Sequence, residues 1–406
     1  MNRFLLTISL WAIALLCLAD VTISGHVRSF VTHDAIVDAE IRIPGSNASV
    51  ITNEDGFFTF KVSALPRQLI VSALGHRNKT VSQQVLAQQT DNVEIWLIPE
   101  TRILDAVTVY TAEDLVKTAI ERIEQNYVPT DERLSCFYRE TTRKQSRFVN
   151  VSEAVMSLYK TNYRRDVTRD QVYVIKGRSL ISERAKDTLA VEVMGGPHTA
   201  VMLDAVKNRE FFLYADDLPY YQFTMLEGTS IDERPQYVIR FEPLPYHPLN
   251  YALFHGTLYI DMERLAFSRM ELSLDMSDPQ KATDVMLIKK PHGLRFRPRE
   301  LTTTISYHFD GEHFRLSYLR NFFHFNCDWK KRWFSTSYRV VTEMVVTDYI
   351  ADEVPRSRKG SFGQRDVLDT KSEDFNDPQF WESYNILEPS ESLEHAVSRL
   401  KKRVRH

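Results

Sequence analysis

Cysteine is nearly missing from this chain. Its 406 residues hold three, and one of these, Cys17, sits in the first apolar run. A disulfide-dense scaffold is therefore excluded. Cys136 and Cys327 are left either to form one long-range bridge or to act as two small buried hydrophobes, and the second needs no special geometry. Glycine is scarce too, at 13, so each one is expected to serve a turn or a bulge. Excess charge of one sign is also lacking. Lys and Arg number 51 against 54 acids, a net charge of −3, which gives no electrostatic case for nucleic-acid binding. Beyond residue 19 no apolar run reaches the roughly 20 residues a membrane helix needs.

The motifs that catalysis requires are absent as well. No His has a Glu three residues on, and H-E-x-x-H does not occur, so the usual zinc-peptidase ligand spacing is missing. There is no G-x-S-x-G elbow, no G-K-[ST] phosphate loop, no G-x-G-x-x-G and no C-x-x-C. The nearest approach to a metal cluster is His308, Asp310, Glu312 and His313, but Asp310-Gly311 reads as a hairpin tip, which is polar because it is solvated. No catalytic, cofactor or metal residue is therefore assigned, and the chain is expected not to be an enzyme.

What is present begins at the N-terminus. Asn2 and Arg3 precede an apolar run from Phe4 to Leu18, broken only by Thr7 and Ser9, and Cys17-Leu18-Ala19 supplies a small-x-small step. That is the layout of a secretory signal peptide over residues 1–19. Cleavage is expected after Ala19. An uncleaved anchor and a lipidated Cys17 are the alternatives, and Leu16 is a poor lipobox residue. Loss of the leader removes Arg3 alone and moves the net charge from −3 to −4. An exported protein, periplasmic or associated with the outer membrane, follows as the expectation.

Residues 20–100 read as short strands separated by turns. Val21, Ile23 and Val27 alternate with polar residues, as do Phe58 and Phe60 with Phe57, Thr59 and Lys61; Pro44-Gly45-Ser46-Asn47 and Asn53-Glu54-Asp55-Gly56 are turn signals. The order of Ile23-Ser24-Gly25-His26-Val27, Val37-Asp38-Ala39-Glu40-Ile41, Thr52-Asn53-Glu54-Asp55-Gly56-Phe57 and Val71-Ser72-Ala73-Leu74-Gly75-His76 resembles the carboxypeptidase-regulatory-like domain. His76 stands where that family usually has Tyr. The resemblance implies a seven-stranded β-sandwich that is an accessory rather than a catalyst, of the kind found beside zinc carboxypeptidases and ahead of TonB-dependent receptors. The strand-like Leu104–Val109 also resembles the linker of such receptors, but the chain is too short for their plug and barrel.

Residues 101–129 are expected to form a linker strand and a packed helix. Thr111 is placed as N-cap, with Glu113 and Asp114 in the first turn, and Leu115, Val116, Ala119, Ile120, Ile123 and Tyr127 recur at helical spacing. Residues 130–350 read as a larger antiparallel sheet, curved or closed into a partial barrel, with strands expected at 256–261, 265–272, 284–288, 301–309, 314–325 and 335–349. Gly256–Glu271, followed by Gly293-Leu294-Arg295-Phe296-Arg297-Pro298, is similar to the LolA-like half-barrels of lipoprotein carriers. That similarity implies a concave apolar face able to hold acyl chains or a peptide. Residues 351–406 are expected to hold a polar linker, an aromatic patch of Phe380, Trp381, Tyr384 and Ile386, and a terminal helix with Leu393, Val397 and Leu400 on one face.

The fold class is thus mainly β, a small N-terminal sandwich followed by a larger sheet. The expected function is that of a non-catalytic cell-envelope binding or scaffold protein for a glycan, a lipid or a partner protein, with Tyr220, Tyr221, Phe223, Phe322 and Phe323 as candidate ligand-surface aromatics. The alternative is an envelope-polymer hydrolase of unrecognised type, which two carboxylates facing each other across one pocket would favour. Minor sites are Asp187-Thr188-Leu189, similar to an O-glycosylation acceptor, and Gly195-Gly196-Pro197-His198, expected as a loop.

Overall fold

The computed structural model describes residues 21–100, 110–182, 192–193, 196–212, 214–329, 335–350, 361–363, 368 and 384–404. The leader, the strand expected at 104–109, Asp187–Leu189, Gly195, Phe380 and Trp381 lie outside the described residues.

The N-terminal unit is a seven-stranded sandwich. Its strands are β1 (Val21–Ser29), β2 (Glu40–Arg42), β3 (Ser49–Ile51), β4 (Phe57–Val62), β5 (Gln68–Ser72), β6 (Lys79–Ser82) and β7 (Val93–Leu97), with a short helix α1 (Gln83–Gln88) after β6. They form two sheets, β4-β1-β7 and β3-β2-β5-β6. Alternation sets which side chains face inward: Ile23, Val27, Phe58 and Phe60 are fully buried in the core between the sheets. The turn into β4 is fixed by Asn53, whose Oδ1 accepts from the Asp55 and Phe57 amides at 2.9 Å each. Gly56 completes it at φ +71°, where an added Cβ would lie 2.6 Å from the Val27 carbonyl oxygen.

Helix α2 (Ala112–Glu121) starts at the expected cap. The Thr111 hydroxyl accepts from the Asp114 amide at 3.1 Å and the Asp114 carboxylate accepts in return from the Thr111 amide. A short α3 (Ile123–Asn126) follows. Leu115, Val116, Ala119, Ile123 and Tyr127 are buried on the large sheet, and the Tyr127 hydroxyl donates to the Phe267 carbonyl at 2.6 Å.

That sheet has twelve strands: β8 (Glu132–Lys144), β9 (Arg147–Lys160), β10 (Gln171–Ile181), β12 (Tyr221–Met225), β13 (Thr229–Ile231), β14 (Arg234–Pro243), β15 (Phe254–Asp261), β16 (Phe267–Leu274), β18 (Leu294–Phe309), β19 (Phe314–Trp329), β20 (Thr336–Ile350) and β21 (Ser361–Phe362). The order is β12-β14-β15-β16-β18-β19-β20-β8-β9-β10-β21, with β13 beside β14, so the sheet stays open. A separate ribbon pairs β11 (Glu192–Val193) with β17 (Leu287–Lys289). The hairpin expected at Asp310-Gly311 joins β18 to β19, with Gly311 at φ +107°.

Each face of the sheet is covered. One carries Leu134, Met156, Leu258, Met270, Ile305, Phe325 and Met344 and is packed by α2, α3, α4 (Pro197–Met202) and α5 (Pro279–Met286). The concave apolar face expected from the half-barrel similarity is therefore filled by these helices among the described residues. Cys136 and Cys327 lie in this core as free thiols, and burial pushes both up to about 12. On the opposite face, helix α6 (Glu391–Val404) docks Leu393, Ala396, Val397 and Leu400 on Phe148, Val151 and Leu180, while Ile51 of the sandwich packs with Phe137, Tyr318, Val345 and Leu387.

Two expectations are corrected. Residues 284–286 are not strand but the end of α5, because the Asp278 carboxylate caps the Gln280 and Lys281 amides and Pro279 occupies the first helical turn. Pro197 likewise opens α4, and His198 is buried rather than exposed on a loop.

Candidate functional site

The sandwich is fixed to the large sheet by polar contacts that no local sequence pattern announces. Asp232 sits in the β13–β14 turn, where Asp232 and Glu233 both have positive φ, 51° and 61°. This two-residue turn projects its carboxylate at the sandwich. Both oxygens accept from Arg42, at 2.6 and 2.7 Å, and Asn78 donates to one of them at 2.6 Å. The Gly75 amide donates to the Ser230 carbonyl at 2.9 Å. Nearby, His308 meets Glu40 at 3.3 Å, and Arg269 meets Asp38 at 3.8 Å. Burial alone would depress the His308 proton affinity, but the Glu40 charge outweighs it and the net shift is upward. For Glu40, burial acts to raise and the His308 charge reverses it, leaving the carboxyl lowered. The loose metal constellation of the sequence is thereby dispersed: His308 pairs with the sandwich, while Asp310 accepts from the Glu312 and His313 amides at 2.8 Å to shape the hairpin. Among the described residues no group of three or more His, Cys, Asp or Glu is placed to hold a metal.

A cleft of about 140 Å³ opens where the sandwich turn at Asn53–Glu54, the strands β8, β19 and β20, and the segment Leu387–Leu393 meet. Its floor is three cross-strand rows set by register, roughly 7 Å apart. The innermost row is Arg320, Glu343 and Arg139. Here charges are matched. Arg139 Nε donates to Glu153 at 2.8 Å and its NH2 to the Leu387 carbonyl at 2.5 Å, and Arg178 closes on the other Glu153 oxygen at 2.7 Å. Arg320 reaches Glu54 at 3.0 Å and Glu343 at 3.7 Å. Burial raises the Glu343 carboxyl despite the two arginines, and burial also raises Glu388 at the wall. The middle row is Phe322, Val341 and Thr141.

The outer row is His324, Arg339 and Arg143. The Arg143 guanidinium carbon lies over the Phe148 ring, 4.0 Å from its centroid. Burial and then the Arg339 charge lower the His324 proton affinity, and its Nε2 lies 3.0 Å from the Ser337 hydroxyl. The exposed Glu300 faces His324 from β18. Neither Arg143 nor Arg339 has a carboxylate partner among the described residues.

The five candidate aromatics are not brought together. Tyr221, 8% exposed, and Phe323, 1% exposed, belong to the core under the helices. Tyr220 and Phe223 are half-buried against that same core. Phe322 points to the opposite face and lines the cleft. Consecutive residues of a strand face opposite ways, and that parity separates Phe322 from Phe323.

A second charged cluster lies under the helices. Lys160 Nζ donates to Asp204 at 2.5 Å, and Lys207 Nζ to Asp170 at 2.6 Å and to the Thr161 hydroxyl at 2.8 Å; the Tyr307 hydroxyl donates to Asp204 at 2.6 Å. All four charged residues are at most 6% exposed. Desolvation, then the neighbouring Lys160 charge, lowers Lys207 to about 8. Two cations thus close on two anions, tying Lys160 and Asp170 on the sheet side to Asp204 and Lys207.

Residues 23–109 match the CarboxypepD_reg-like domain family, a span that takes in nearly all of the sandwich. No curated protein sequence matches the chain. Among solved structures, a DUF1329 family protein from Desulfovibrio piger aligns with 60% of this chain and 93% of its own, at 8% identity and a TM-score of 0.23. A LolA superfamily protein from Nitrosomonas europaea aligns with 61% of this chain and 96% of its own, at 12% identity and a TM-score of 0.19. Both are weak structural neighbours.

Proposed function

We propose that this chain is an exported, non-catalytic binding protein of the cell envelope, periplasmic or associated with the outer membrane, whose ligand seats in the cleft at the three-way junction. The observation that supports this most is the composition of that cleft. No single element builds it: the accessory domain supplies Asn53 and Glu54, the sheet its floor, and the C-terminal segment its wall. A recess made jointly by two domains is the ordinary place for a ligand. The Arg42–Asp232 and Asn78–Asp232 contacts hold the accessory domain in register, so the recess is preformed. No helix among the described residues is long and apolar enough to cross a membrane. The test is to purify the chain from its native envelope, extract it and identify what is bound by mass spectrometry. A stoichiometric small ligand displaced by Phe322→Glu is the expected result. An empty protein that co-purifies with a stable partner chain would replace ligand carriage with scaffolding.

A second reading, hydrolysis of an envelope polymer, is favoured by one feature: Glu343 and Glu388 share this cleft and burial raises both carboxyls. Release of reducing ends from envelope glycans, abolished by Glu343→Gln, would establish it. Failure to release any sets it aside.

A further inference from the structure

The outer row of the cleft deepens the binding reading and rests on it. Like charges directly opposite one another on adjacent antiparallel strands are destabilising. Arg143 and Arg339 hold that arrangement with no carboxylate partner among the described residues. The next row along the same strands is uncharged, and the row after that is already neutralised, with Arg139 and Arg320 committed to Glu153, Glu54 and Glu343. Unmatched positive charge in the cleft is therefore concentrated at one end.

We propose that this row is a binding site for the phosphate group of a phosphorylated ligand. Arg143 and Arg339 clamp the phosphate, and the body of the ligand lies on Phe322 and Val341. Several observations favour phosphate over a carboxylate. Two guanidinium forks on neighbouring strands present more N–H donors than one carboxylate can accept, whereas a phosphate offers three terminal oxygens and a charge of about −1.5 to −2 that balances both arginines. Arg143 is pre-oriented by its stack on Phe148, which lowers the cost of ordering it on the ligand. Beyond the middle row, Glu54 and Glu343 are positioned to accept hydroxyl hydrogens, and with Arg320 already paired to them that end offers no free cation for a second anionic group. The volume of about 140 Å³ is close to the ~150 Å³ that accommodates one benzene-sized molecule, so one ring or one headgroup fits.

The test uses the full chain, with glucose 6-phosphate, glucose and inorganic phosphate as soluble probes and phosphatidylglycerol vesicles as the membrane probe. Isothermal titration and phosphorus NMR line broadening are expected to show glucose 6-phosphate binding that glucose does not compete for. Arg143→Gln and Arg339→Gln should each weaken it at least tenfold without lowering the thermal midpoint, because each removes half of a like-charge pair. Arg339→Lys, which keeps the charge and loses the fork, should fall between. Vesicle co-sedimentation lost in Arg143→Gln would assign the phosphate to a lipid headgroup; binding of the sugar phosphate alone would assign it to a soluble or glycan-borne ester. Both support the site. No binding of either phosphate probe, or binding that survives both Gln substitutions, overturns it. If the native extract instead yields an unphosphorylated ligand displaced by Phe322→Glu, the cleft remains the binding site and the phosphate clamp is wrong.

Discussion

The two faces of the large sheet treat charge in opposite ways. Under the helices, Lys160, Lys207, Asp170 and Asp204 are buried and close on one another, with the Tyr307 hydroxyl donating to Asp204 and the Thr161 hydroxyl to Asp170. On the other face, Arg143 and Arg339 lie side by side at the mouth of a cleft with no carboxylate partner among the described residues. Buried charge is tolerated only when paired, so the first arrangement is a fastening. Unpaired charge at the half-exposed mouth of a recess carries no such burial cost, and it is this charge that the proposed phosphate would meet.

That contrast can be broken at several strengths. The largest effect is expected at the fastening. Lys160→Met leaves Asp204 buried with its main counter-ion gone and should cost about 3–5 kcal/mol, read as a lower urea midpoint. A loss below about 1 kcal/mol would mean the cluster is not a lock. The domain junction comes next. Asp232→Asn should cost roughly 1.5–3 kcal/mol through its charged hydrogen bonds, and hydrogen exchange should quicken at Gly75, whose amide reaches across to Ser230. Unchanged exchange there would show that the sandwich docks without Asp232.

The His308–Glu40 pair gives a pH signature. His308 is raised, so its contribution is complete below the unfolded histidine value near 6.5 and fades as pH climbs through the folded value above it. Glu40 is lowered, so its contribution is complete above the unfolded carboxyl value near 4.3 and is lost as pH falls through the folded value beneath it. The difference in urea midpoint between the wild type and His308→Gln should therefore be widest near pH 5–6 and narrow by pH 9. A difference independent of pH would remove the pair from the junction's energetics. The smallest effect belongs to the open end: Arg143→Gln should change stability by no more than about 0.5 kcal/mol, and a larger loss would make that arginine structural.

Local patterns were legible and register was not. Alternation placed Phe58 and Phe60 in the sandwich core, Asp55-Gly56 announced its turn, and Thr111 its helix cap, because each is decided by neighbours a few residues away. The β-rich class followed from the same signals. Helix α5 was misread because the apolar run after Asp284 masked the Asp278-Pro279 start. The cleft was hidden for a deeper reason: Arg143 and Arg339 are far apart in the chain and become neighbours only through the pairing of β8 with β20. Strand parity alone puts Phe322 and Phe323 on opposite faces, but does not say which of the two faces the cleft.

The pairing of β8 with β20 also sets the order in which the protein can assemble. Residues 132–144 pair with 147–160 on one edge but on the other with residues 336–350, so this seam is also the sheet's most distant pairing in sequence. A chain emerging from its N-terminus can complete the sandwich and the β8–β9–β10 ribbon early, yet it leaves the outer edge of β8 bare until most of the remaining strands have arrived. High contact order of this kind slows folding, and a bare strand edge is a template for association with other chains. Between synthesis of residue 144 and residue 336 that edge of β8 therefore lacks its native partner.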